Sequence, residues 1–380
     1  MNFDIRLLVV PGVQTIEPYQ PGKPLSELAR EYGIEDAIKL ASNENPLGPS
    51  PRALRAIHTV LADIARYPDG GGFTLKRALS AKLGVTPEQI TLGNGSNDVL
   101  ELVARAFAQA GDEVIYSEYA FAVYELVTRA VGARPVVVPA REWGHDLAGM
   151  EQAITPRTRL VFVANPNNPT GTWLRARALE AFLRKIPPHA LAVIDEAYFE
   201  YVEEPEYPNA VTWLARYPNL VVTRTFSKIY GLAGLRVGYG VSHASVADYL
   251  NRVRQPFNVN SVAAAAAEAA LADDEHVTRS VEINREGRGQ LIHGFRRLNL
   301  NFIPSVGNFL TVDIGQRANS VYEALLRKGV IVRPVGSYGL PNHLRVTVGL
   351  PSENDRFLAA LEATLAAGSR ERTSAAGGPG

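Results

Sequence analysis

The chain has 380 residues, 46% hydrophobic and 21% charged, which is enough apolar material for a large core in two or three domains. Its 39 basic and 39 acidic side chains give a formal net charge of zero, which argues against a nucleic-acid partner. The absence of cysteine excludes disulfides, zinc–thiolate sites and a cysteine nucleophile, and the seven histidines lack metal-ligand spacing, so no metal is expected.

The N-terminal residues 1–48 predict an arm that continues into part of a small domain. The apolar run Leu7–Val10 ends at Pro11 and is too short for the core of a signal peptide. No apolar run approaches the roughly 18 residues that a membrane span requires. We therefore expect a cytoplasmic protein without a membrane partner.

Residues 49–265 predict a large α/β domain. Helix-like segments separate its short apolar, β-rich runs, and several of these runs are apolar throughout instead of alternating. Such runs are typical of strands covered on both faces, and so of a mostly parallel sheet, here of seven strands. The predicted strands are Gln89–Leu92, Glu113–Tyr116, Pro135–Val138, Leu160–Ala164, Leu191–Ile194, Leu220–Thr223 and Leu235–Val241.

Residues 266–367 predict a smaller α+β domain. A long charged helix is expected over Asp273–Leu298, and shorter helices over Val321–Lys328 and Asn354–Ala366. The predicted strands of this domain are Asn308–Asp313, Val330–Arg333 and His343–Val348. The small, polar residues 368–380 predict a disordered tail.

A first motif, between a predicted strand and a predicted helix, is Gly93-Asn94-Gly95-Ser96-Asn97-Asp98. Backbone N–H groups at a helix start bind anions, and glycine lets a phosphate approach closely. Asp98 stands where a dinucleotide-binding fingerprint would have its third glycine, so that site is not indicated. An ordinary capped helix start would give the same pattern.

Two further motifs follow predicted strands directly. The turn Asn165–Gly171 carries Asn168, whose side chain could donate to a ligand oxygen, although a plain turn would also fit. Asp195 ends an apolar strand, where a carboxylate is costly unless it is paired. A protonated pyridine nitrogen is a suitable partner, and Tyr198 could reach the phenolic oxygen of the same ring. The alternative is a structural aspartate that caps the next segment.

The last motif contains Lys228 between two apolar segments. Thr225 and Ser227 precede it, and Arg236 follows a glycine-rich stretch. A lysine amine there can form a Schiff base with an aldehyde cofactor, while the hydroxyls and the arginine hold a phosphate. Alone, the pattern would most often be a surface lysine. Together, the four motifs supply what pyridoxal 5′-phosphate requires.

The order of these motifs resembles the aspartate-aminotransferase, or fold type I, superfamily of pyridoxal-phosphate enzymes. Within it, three segments resemble the histidinol-phosphate aminotransferase family: Pro18–Lys23, Leu40–Gly48 and Arg66–Asp69. The resemblance covers residues from about 10 to 366. It implies an α/β large domain with the smaller α+β domain, a cytoplasmic homodimer, and transamination between histidinol phosphate and 2-oxoglutarate, which yields imidazole-acetol phosphate and glutamate in histidine biosynthesis.

The resemblance also implies roles for individual residues. Lys228 would be the Schiff-base lysine and proton carrier, Asp195 the partner of the ring nitrogen, and Tyr198 a catalytic donor to the ring. Phosphate contacts are implied for Gly95, Ser96, Asn97, Thr225, Ser227, Arg236 and, from the partner subunit, Tyr67. Ring contacts are implied for Phe121 and Asn168, and substrate contacts for Tyr19, Asn45, Arg333 and Arg345.

The resemblance leaves alternatives for the function. An aromatic amino acid aminotransferase would use the same cofactor machinery, and so would a lyase similar to threonine-phosphate decarboxylase. A non-enzymatic binding module of the same fold is disfavoured because Lys228, Asp195 and Tyr198 are all present. Arg333 would be an ordinary surface arginine if no phosphorylated substrate binds.

Overall fold

The computed structural model describes residues 4–376, with side chains described except at 316 and 368–376. Seven of the strands in this part of the chain form the large sheet, in the order β2-β8-β7-β6-β5-β3-β4. Strand β8 runs antiparallel to both of its neighbours, and the other pairings are parallel. These strands are β2 (Ile90–Gly93), β3 (Glu113–Ser117), β4 (Arg134–Val138), β5 (Thr158–Ala164), β6 (Leu191–Asp195), β7 (Leu220–Thr225) and β8 (Gly238–Ser242). The predicted mostly parallel sheet is thus confirmed.

The central strands of this sheet are buried because helices cover both of its faces. Every residue of β6 and β7 is buried, and apolar side chains from alternate positions enter two separate clusters. This arrangement explains why the runs are apolar throughout. The helices up to residue 271 are α1 (Pro11–Gln14), α2 (Leu25–Tyr32), α3 (Pro51–Val60), α4 (Phe73–Leu83), α5 (Ser96–Phe107), α6 (Ala122–Ala130), α7 (Leu147–Gln152), α8 (Ala176–Leu183), α9 (Ala244–Val253) and α10 (Ser261–Leu271).

Strand β8 begins three residues later than the sequence predicts. Ala233–Leu235 form a 3₁₀ turn, and Arg236 has a left-handed backbone with φ of 55°. A residue in that conformation cannot continue an extended strand, so the chain first turns and then enters the sheet at Gly238.

The C-terminal part of the chain contains a four-stranded antiparallel sheet, in the order β12-β13-β10-β9. A two-stranded parallel pair, β1 with β11, joins the N-terminal segment to this part. The strands are β1 (Ile38–Lys39), β9 (Phe302–Ile303), β10 (Phe309–Asp313), β11 (Val330–Ile331), β12 (Arg333–Pro334) and β13 (His343–Thr347). The sequence did not predict β1 or β9, because two residues carry no recognisable periodicity. The helices are α11 (Asp274–Arg297), α12 (Ala318–Leu326) and α13 (Pro351–Ala376).

These elements are compatible with the division at residues 48, 265 and 367, which stays a prediction. Helix α13 continues through residues 368–376, where the sequence predicts a disordered tail, while 377–380 lie outside the described residues. Alanine, arginine and glutamate favour helix there, and no proline stands between Pro351 and Pro379. Between residues 4 and 376, no helix combines the length and the apolar character needed to cross a membrane.

Candidate active site

A cavity of about 250 Å³ lies where β5, β6 and β7 end, and its wall is completed by the C-terminal sheet and the N-terminal segment. Ligands of open α/β sheets bind at this carboxyl edge. The predicted site residues that line the cavity are Tyr19, Ser96, Asn97, Phe121, Asn168, Asp195, Tyr198, Thr225, Ser227, Lys228, Arg236, Arg333 and Arg345. The structure therefore gathers side chains that are far apart in sequence.

One end of the cavity is built around the start of α5. Ser96 and Asn97 occupy the first helical positions, where backbone N–H groups have no partner within the helix. Gly95 has φ of 88°, and a Cβ at this position would lie 2.5 Å from Arg236 Nη2. The glycine therefore allows the arginine to approach the helix start, which creates a small basic pocket suited to a phosphate.

The opposite wall of this pocket comes from the loop after β7. Arg236 Nη1 donates to Ser227 Oγ over 3.2 Å and to the carbonyl of Ala233 over 3.1 Å. Thr225 Oγ1 accepts from the backbone N–H of Ser227 over 3.1 Å. These contacts orient the hydroxyls and the guanidinium toward one point, as binding of a doubly charged phosphate requires.

Asp195 lies in the floor of the cavity and is 5% exposed. Its Oδ1 accepts from Thr223 Oγ1 and its Oδ2 from the hydroxyl of Tyr124, each over 2.9 Å. Burial raises the pKa of Asp195 above its ordinary value, while the two hydrogen bonds and the charge of Lys228 oppose that shift. Because both bonded donors are uncharged hydroxyls, a positively charged ring nitrogen would complete the charge balance of this carboxylate.

The Lys228 amine also lies inside the cavity. Its Nζ donates to the carbonyl of Ser42 over 3.0 Å and lies 5.7 Å from the ring centroid of Tyr198. Burial lowers the pKa of Lys228 to about 7, and the charges of Arg345 and Arg236 act in the same direction. At neutral pH a large fraction of this amine is therefore unprotonated and nucleophilic.

Tyr198 and Asn168 present hydrogen-bond donors to the cavity. The Tyr198 hydroxyl accepts from Asn43 Nδ2 over 2.8 Å, so its own hydrogen is free to point to a ligand. Asn168 Oδ1 accepts from Arg345 Nη1, which leaves the Nδ2 of this amide for a ligand oxygen. Burial raises the pKa of Tyr198 to about 12, so the phenol stays protonated as a donor.

Two arginines stand at the far end of the cavity, on neighbouring strands. Arg333 of β12 lies opposite Arg345 of β13 in the antiparallel register. Arg345 is buried and donates from Nη2 to the carbonyl of Ala41 over 2.7 Å, while its Nε has no hydrogen-bond partner among the described residues. Arg333 donates to the carbonyl of Gln20, and its guanidinium lies 5.3 Å from the Tyr19 ring centroid. A pair of guanidinium groups with a spare donor is suited to an anionic group.

The structure does not bring every predicted residue to this cavity. The Asn45 amide donates to the Ile229 carbonyl over 2.7 Å and to Ser280 Oγ over 2.9 Å, so it holds the chain together. The predicted substrate contact of Asn45 stays a prediction. Gly95 donates its N–H to Gly93 and contributes space, not a donor. Tyr67 does not line the cavity; it is 84% exposed and stacks on Phe257 at 4.8 Å.

Tyr124, Thr223 and Asn43 are functional candidates that the sequence analysis missed. Tyr124 follows Phe121, the residue at the N-cap of α6, by three positions, and their ring centroids lie 6.1 Å apart. Thr223 is the register partner of Asp195 across β6 and β7, and it precedes Thr225 by two residues on the same face. The positions of Tyr124 and Thr223 in the sequence could have indicated their roles. The role of Asn43 could not have been predicted, because its left-handed backbone, with φ of 56°, leaves no pattern in the sequence.

These features fit pyridoxal 5′-phosphate. A Cβ at Gly95 would lie 2.5 Å from Arg236 Nη2, the buried Asp195 accepts from two uncharged hydroxyls in the described part of the chain, and Tyr198 and Asn168 each keep a donor for a ring oxygen. Phe121 lines the same cavity beside these groups, as expected for a residue that stacks on the ring. Within residues 4–376, no cluster of histidine, aspartate and glutamate side chains is suited to a metal ion.

Comparisons with known proteins agree with this geometry. Residues 35–361 match the family model described as aminotransferase class I and II. The chain is 60% identical over 358 residues to histidinol-phosphate aminotransferase 1 of Nitrosococcus oceani, covering 94% of this chain and 97% of that one.

Solved structures add to these similarities. The histidinol-phosphate aminotransferase of Sinorhizobium meliloti, in complex with pyridoxal-5′-phosphate, superposes with a TM-score of 0.88 at 31% identity, over 94% of this chain and 98% of that one. Aspartate aminotransferase of Thermus thermophilus shares the fold, with a TM-score of 0.80 at 24% identity, over 93% and 98% of the two chains.

Proposed function

The chain belongs to the class I and II aminotransferases and, within them, to the histidinol-phosphate aminotransferase family, and we propose residue by residue how it performs this reaction. The enzyme transfers an amino group between histidinol phosphate and 2-oxoglutarate, with pyridoxal 5′-phosphate as cofactor. The observation that best supports the proposed roles is that one cavity contains a phosphate pocket, a buried Asp195–Lys228 set and two further arginines.

Bound pyridoxal phosphate supplies an electron sink for negative charge at the substrate carbon that bears the amine. Asp195 holds the ring nitrogen in its protonated form, and Tyr124 and Thr223 hold Asp195. Ser96, Asn97, Thr225, Ser227 and Arg236 bind the cofactor phosphate. Phe121 packs on the ring, while Asn168 and Tyr198 donate to its oxygen.

Lys228 would hold the cofactor through its amine and move the proton. A group that both takes and returns a proton works best when its pKa is near the working pH. Burial brings the pKa of Lys228 to about 7, so its Nζ can accept a proton from the substrate carbon and give it back. The Ser42 carbonyl, which accepts from Nζ over 3.0 Å, keeps the amine inside the cavity.

Arg345, Arg333 and Tyr19 recognise the substrates. Glutamate offers a carboxylate where histidinol phosphate offers a phosphate ester, so one site has to bind either anion. Arg345, whose buried Nε has no partner in the part of the chain that the structure describes, is suited to both. Arg333 adds a second positive charge for the dianionic phosphate, and Tyr19 lies against its guanidinium.

Paired half-reactions test this assignment. Histidinol phosphate alone should convert the absorbance of the bound cofactor, and 2-oxoglutarate alone should restore it. Phenylalanine should act far more slowly. Brisk conversion by phenylalanine without conversion by histidinol phosphate would support an aromatic aminotransferase instead. Release of carbon dioxide from threonine phosphate without a keto acid would support a lyase.

A homodimer in which Tyr67 completes the neighbouring site is also part of the proposal. The exposed Tyr67 stacks on the exposed Phe257, and two more exposed apolar side chains, Ile64 and Phe73, lie within six residues of Tyr67 in sequence. Such side chains are suited to burial against a second copy, where the Tyr67 hydroxyl would reach the cofactor phosphate.

Mixing two defective variants tests that contribution. Lys228→Ala and Tyr67→Ala proteins should each be impaired alone, but exchange of their subunits should restore about a quarter of the sites, since half of the dimers then contain one intact site. No recovery in a mixture that is demonstrably dimeric would place Tyr67 in its own subunit's site.

We place the enzyme in the cytoplasm, because its substrates are charged metabolites that do not cross a bilayer unaided. Cell fractionation with an activity assay tests this location, and activity outside the cytoplasmic fraction would contradict it.

A further inference from the structure

Asp98, which occupies the glycine position of the first motif, is the centre of a polar network beside the phosphate pocket. Its Oδ2 accepts from the backbone N–H of Asn94 over 2.8 Å and from Asn258 Nδ2 over 2.8 Å. Asn258 Nδ2 also donates to the carbonyl of Leu92 over 3.1 Å, at the end of β2. Asp98 thus holds Asn94 directly and the end of β2 through Asn258, on the two sides of the turn that leads into α5.

The network continues away from the pocket through Arg254. Its Nη1 donates to Asn258 Oδ1 over 2.7 Å, and its Nη2 donates to the carbonyl of Gly70 over 2.8 Å. Gly70 belongs to the loop that follows Tyr67, in which Asp69 accepts from the backbone N–H groups of Gly71 and Phe73.

A second connection reaches the same loop. Phe257, the residue before Asn258, has a left-handed backbone with φ of 58° and stacks on Tyr67 with ring centroids 4.8 Å apart. Two routes from Asn258, one polar through Arg254 and one aromatic through Phe257, therefore end at the segment around Tyr67. The left-handed backbone of Phe257 fixes the direction of its ring relative to the Asn258 side chain, so that both connections meet the same loop.

The negative charge of Asp98 does not itself favour the binding of a phosphate. A carboxylate in the first turn of α5 suits the helix dipole but repels a phosphate dianion bound at the same helix start. Its benefit to the pocket must come from geometry, because it directs Asn94 and the turn so that the N–H groups of Ser96 and Asn97 face the cavity.

We propose that Asp98, Asn258 and Arg254 form a positioning link that shapes the phosphate pocket and ties it to the loop bearing Tyr67. Binding of a phosphate at the start of α5 immobilises Asn94 and Asp98, and the link transmits this restraint to Gly70. The loop that we assign to the neighbouring subunit's site is ordered in consequence. The link depends on the cofactor and not on the amino donor, so failure of the histidinol phosphate half-reaction would leave it intact.

The first part of the proposal, that the link shapes the phosphate pocket, is tested by comparing the affinity for the phosphorylated cofactor with the affinity for its unphosphorylated form. Apoprotein is titrated with pyridoxal 5′-phosphate and with pyridoxal. Asp98→Ala should lose about 10-fold in affinity for the phosphorylated form, the equivalent of one hydrogen bond, while its affinity for pyridoxal stays within about 2-fold. Asn258→Ala should behave alike. Asp98→Asn keeps an acceptor oxygen and should retain the wild-type preference.

Glu101→Gln is the matched control for the titration, because Glu101 is a carboxylate of the same helix and pairs with Arg105 instead of the turn before α5. It should change neither affinity. Equal losses for both ligands in Asp98→Ala would show a general structural role and overturn the proposal, as would an Asp98→Asn protein that binds like Asp98→Ala.

The second part of the proposal, that the link connects the pocket to the loop bearing Tyr67, is tested by hydrogen exchange of the backbone amides. Adding pyridoxal 5′-phosphate to wild-type apoprotein should slow exchange in residues 69–73. Arg254→Gln should keep its affinity for the cofactor within about 3-fold but lose this response. An unchanged exchange rate at 69–73 in the wild-type protein, or a full response in Arg254→Gln, would overturn the link to the Tyr67 loop.

Discussion

Tyr124 donates its phenolic hydrogen bond to Oδ2 of Asp195 across 2.9 Å of buried space. The Tyr124 ring is held in place by parallel stacking on Phe162, with centroids 4.8 Å apart and an angle of 3° between the planes. Both side chains are buried, so the hydroxyl has no solvent alternative. The Asp195 carboxylate, which lines the cavity, is therefore oriented by a residue of α6 that itself does not line it.

Replacing Tyr124 by phenylalanine should weaken the site without unfolding it. The change removes a hydrogen bond that lowers the pKa of Asp195, so burial raises that pKa further. A hydrogen bond to a charged group contributes about 1.5–3 kcal/mol, so we expect roughly 10- to 100-fold weaker cofactor binding or slower half-reactions. Equilibrium titration of the apoprotein and stopped-flow absorbance measure both.

Tyr116→Phe is the control for this prediction. The Tyr116 hydroxyl is buried near Tyr124 but has no hydrogen-bond partner in the described part of the chain. Its removal should leave the cofactor affinity unchanged. Equal effects of the two substitutions would show that packing, and not the bond to Asp195, is responsible.

Cofactor incorporation should depend on pH through the Lys228 amine. Burial lowers the pKa of this amine to about 7 in the cofactor-free protein, and only the unprotonated form attacks an aldehyde. The rate should therefore rise with pH, by about ten-fold per unit below that pKa, and level off above it. Stopped-flow mixing of apoprotein with pyridoxal phosphate over a pH series gives the profile.

Two lysine variants serve as controls for that experiment. Lys228→Ala should show no covalent incorporation and should lose at least about 100-fold in turnover. Lys185→Ala, which removes an exposed lysine paired with Glu151, should reproduce the wild-type profile. A rate that kept rising up to the pKa of an ordinary lysine would mean that the cavity does not perturb the amine.

Much of this site could be predicted because its residues follow strands. A parallel sheet aligns its carboxyl ends, so Asp195, Asn168 and Lys228, each just after an apolar run, had to converge. Asn45 shows the limit of that logic. It lies in a motif of the family, but its amide donates to the Ile229 carbonyl and to Ser280, and Asn45 is not among the residues that line the cavity. No pattern of residue types along the chain predicts these two hydrogen bonds.

The fold shows a similar division. Continuous apolar runs predicted the strands of the large sheet, because a strand that is buried on both faces consists almost entirely of apolar residues. The start of β8 was misplaced because a left-handed Arg236 has no signature in sequence. Pairing of β1 with β11 joins residues about 290 positions apart, as in Ile38 with Val330, and rests on tertiary contacts alone.

Arg345 and Arg333 should separate the two substrates. Arg345→Ala should slow both half-reactions by about 10- to 100-fold, because either anion loses its charge-assisted hydrogen bonds. Arg333→Ala should slow the reaction of histidinol phosphate by a similar factor and change that of glutamate by less than about 3-fold. Single-turnover rates for each amino donor measure the difference.

Arg345→Lys is the informative companion, because it keeps the charge but loses the planar fork that holds Asn168 and the Ala41 carbonyl. It should be nearly as impaired as Arg345→Ala. Equal impairment of both amino donors in Arg333→Ala would refute a phosphate-specific role for Arg333.

The buried ion pair beneath the site should carry the largest stability effect of any charge substitution tested. Arg224 Nε and Nη2 donate to Glu196 Oε2 over 2.9 and 2.7 Å, and both side chains are nearly inaccessible. Glu196→Gln would leave a buried guanidinium without its counter-ion, which costs about 3–5 kcal/mol. The exposed pair Arg285–Glu203 is worth less than about 1 kcal/mol, so Glu203→Gln serves as control.

Urea unfolding of the apoprotein measures these differences. Glu196 directly follows Asp195 at the end of β6, and Arg224 directly follows Thr223 in β7. Glu196→Gln should therefore also weaken cofactor binding. Glu196→Gln combined with Arg224→Met removes both charges and should recover most of the lost stability. If Glu196→Gln cost no more than Glu203→Gln, the pair would not hold the strand ends that carry the active site.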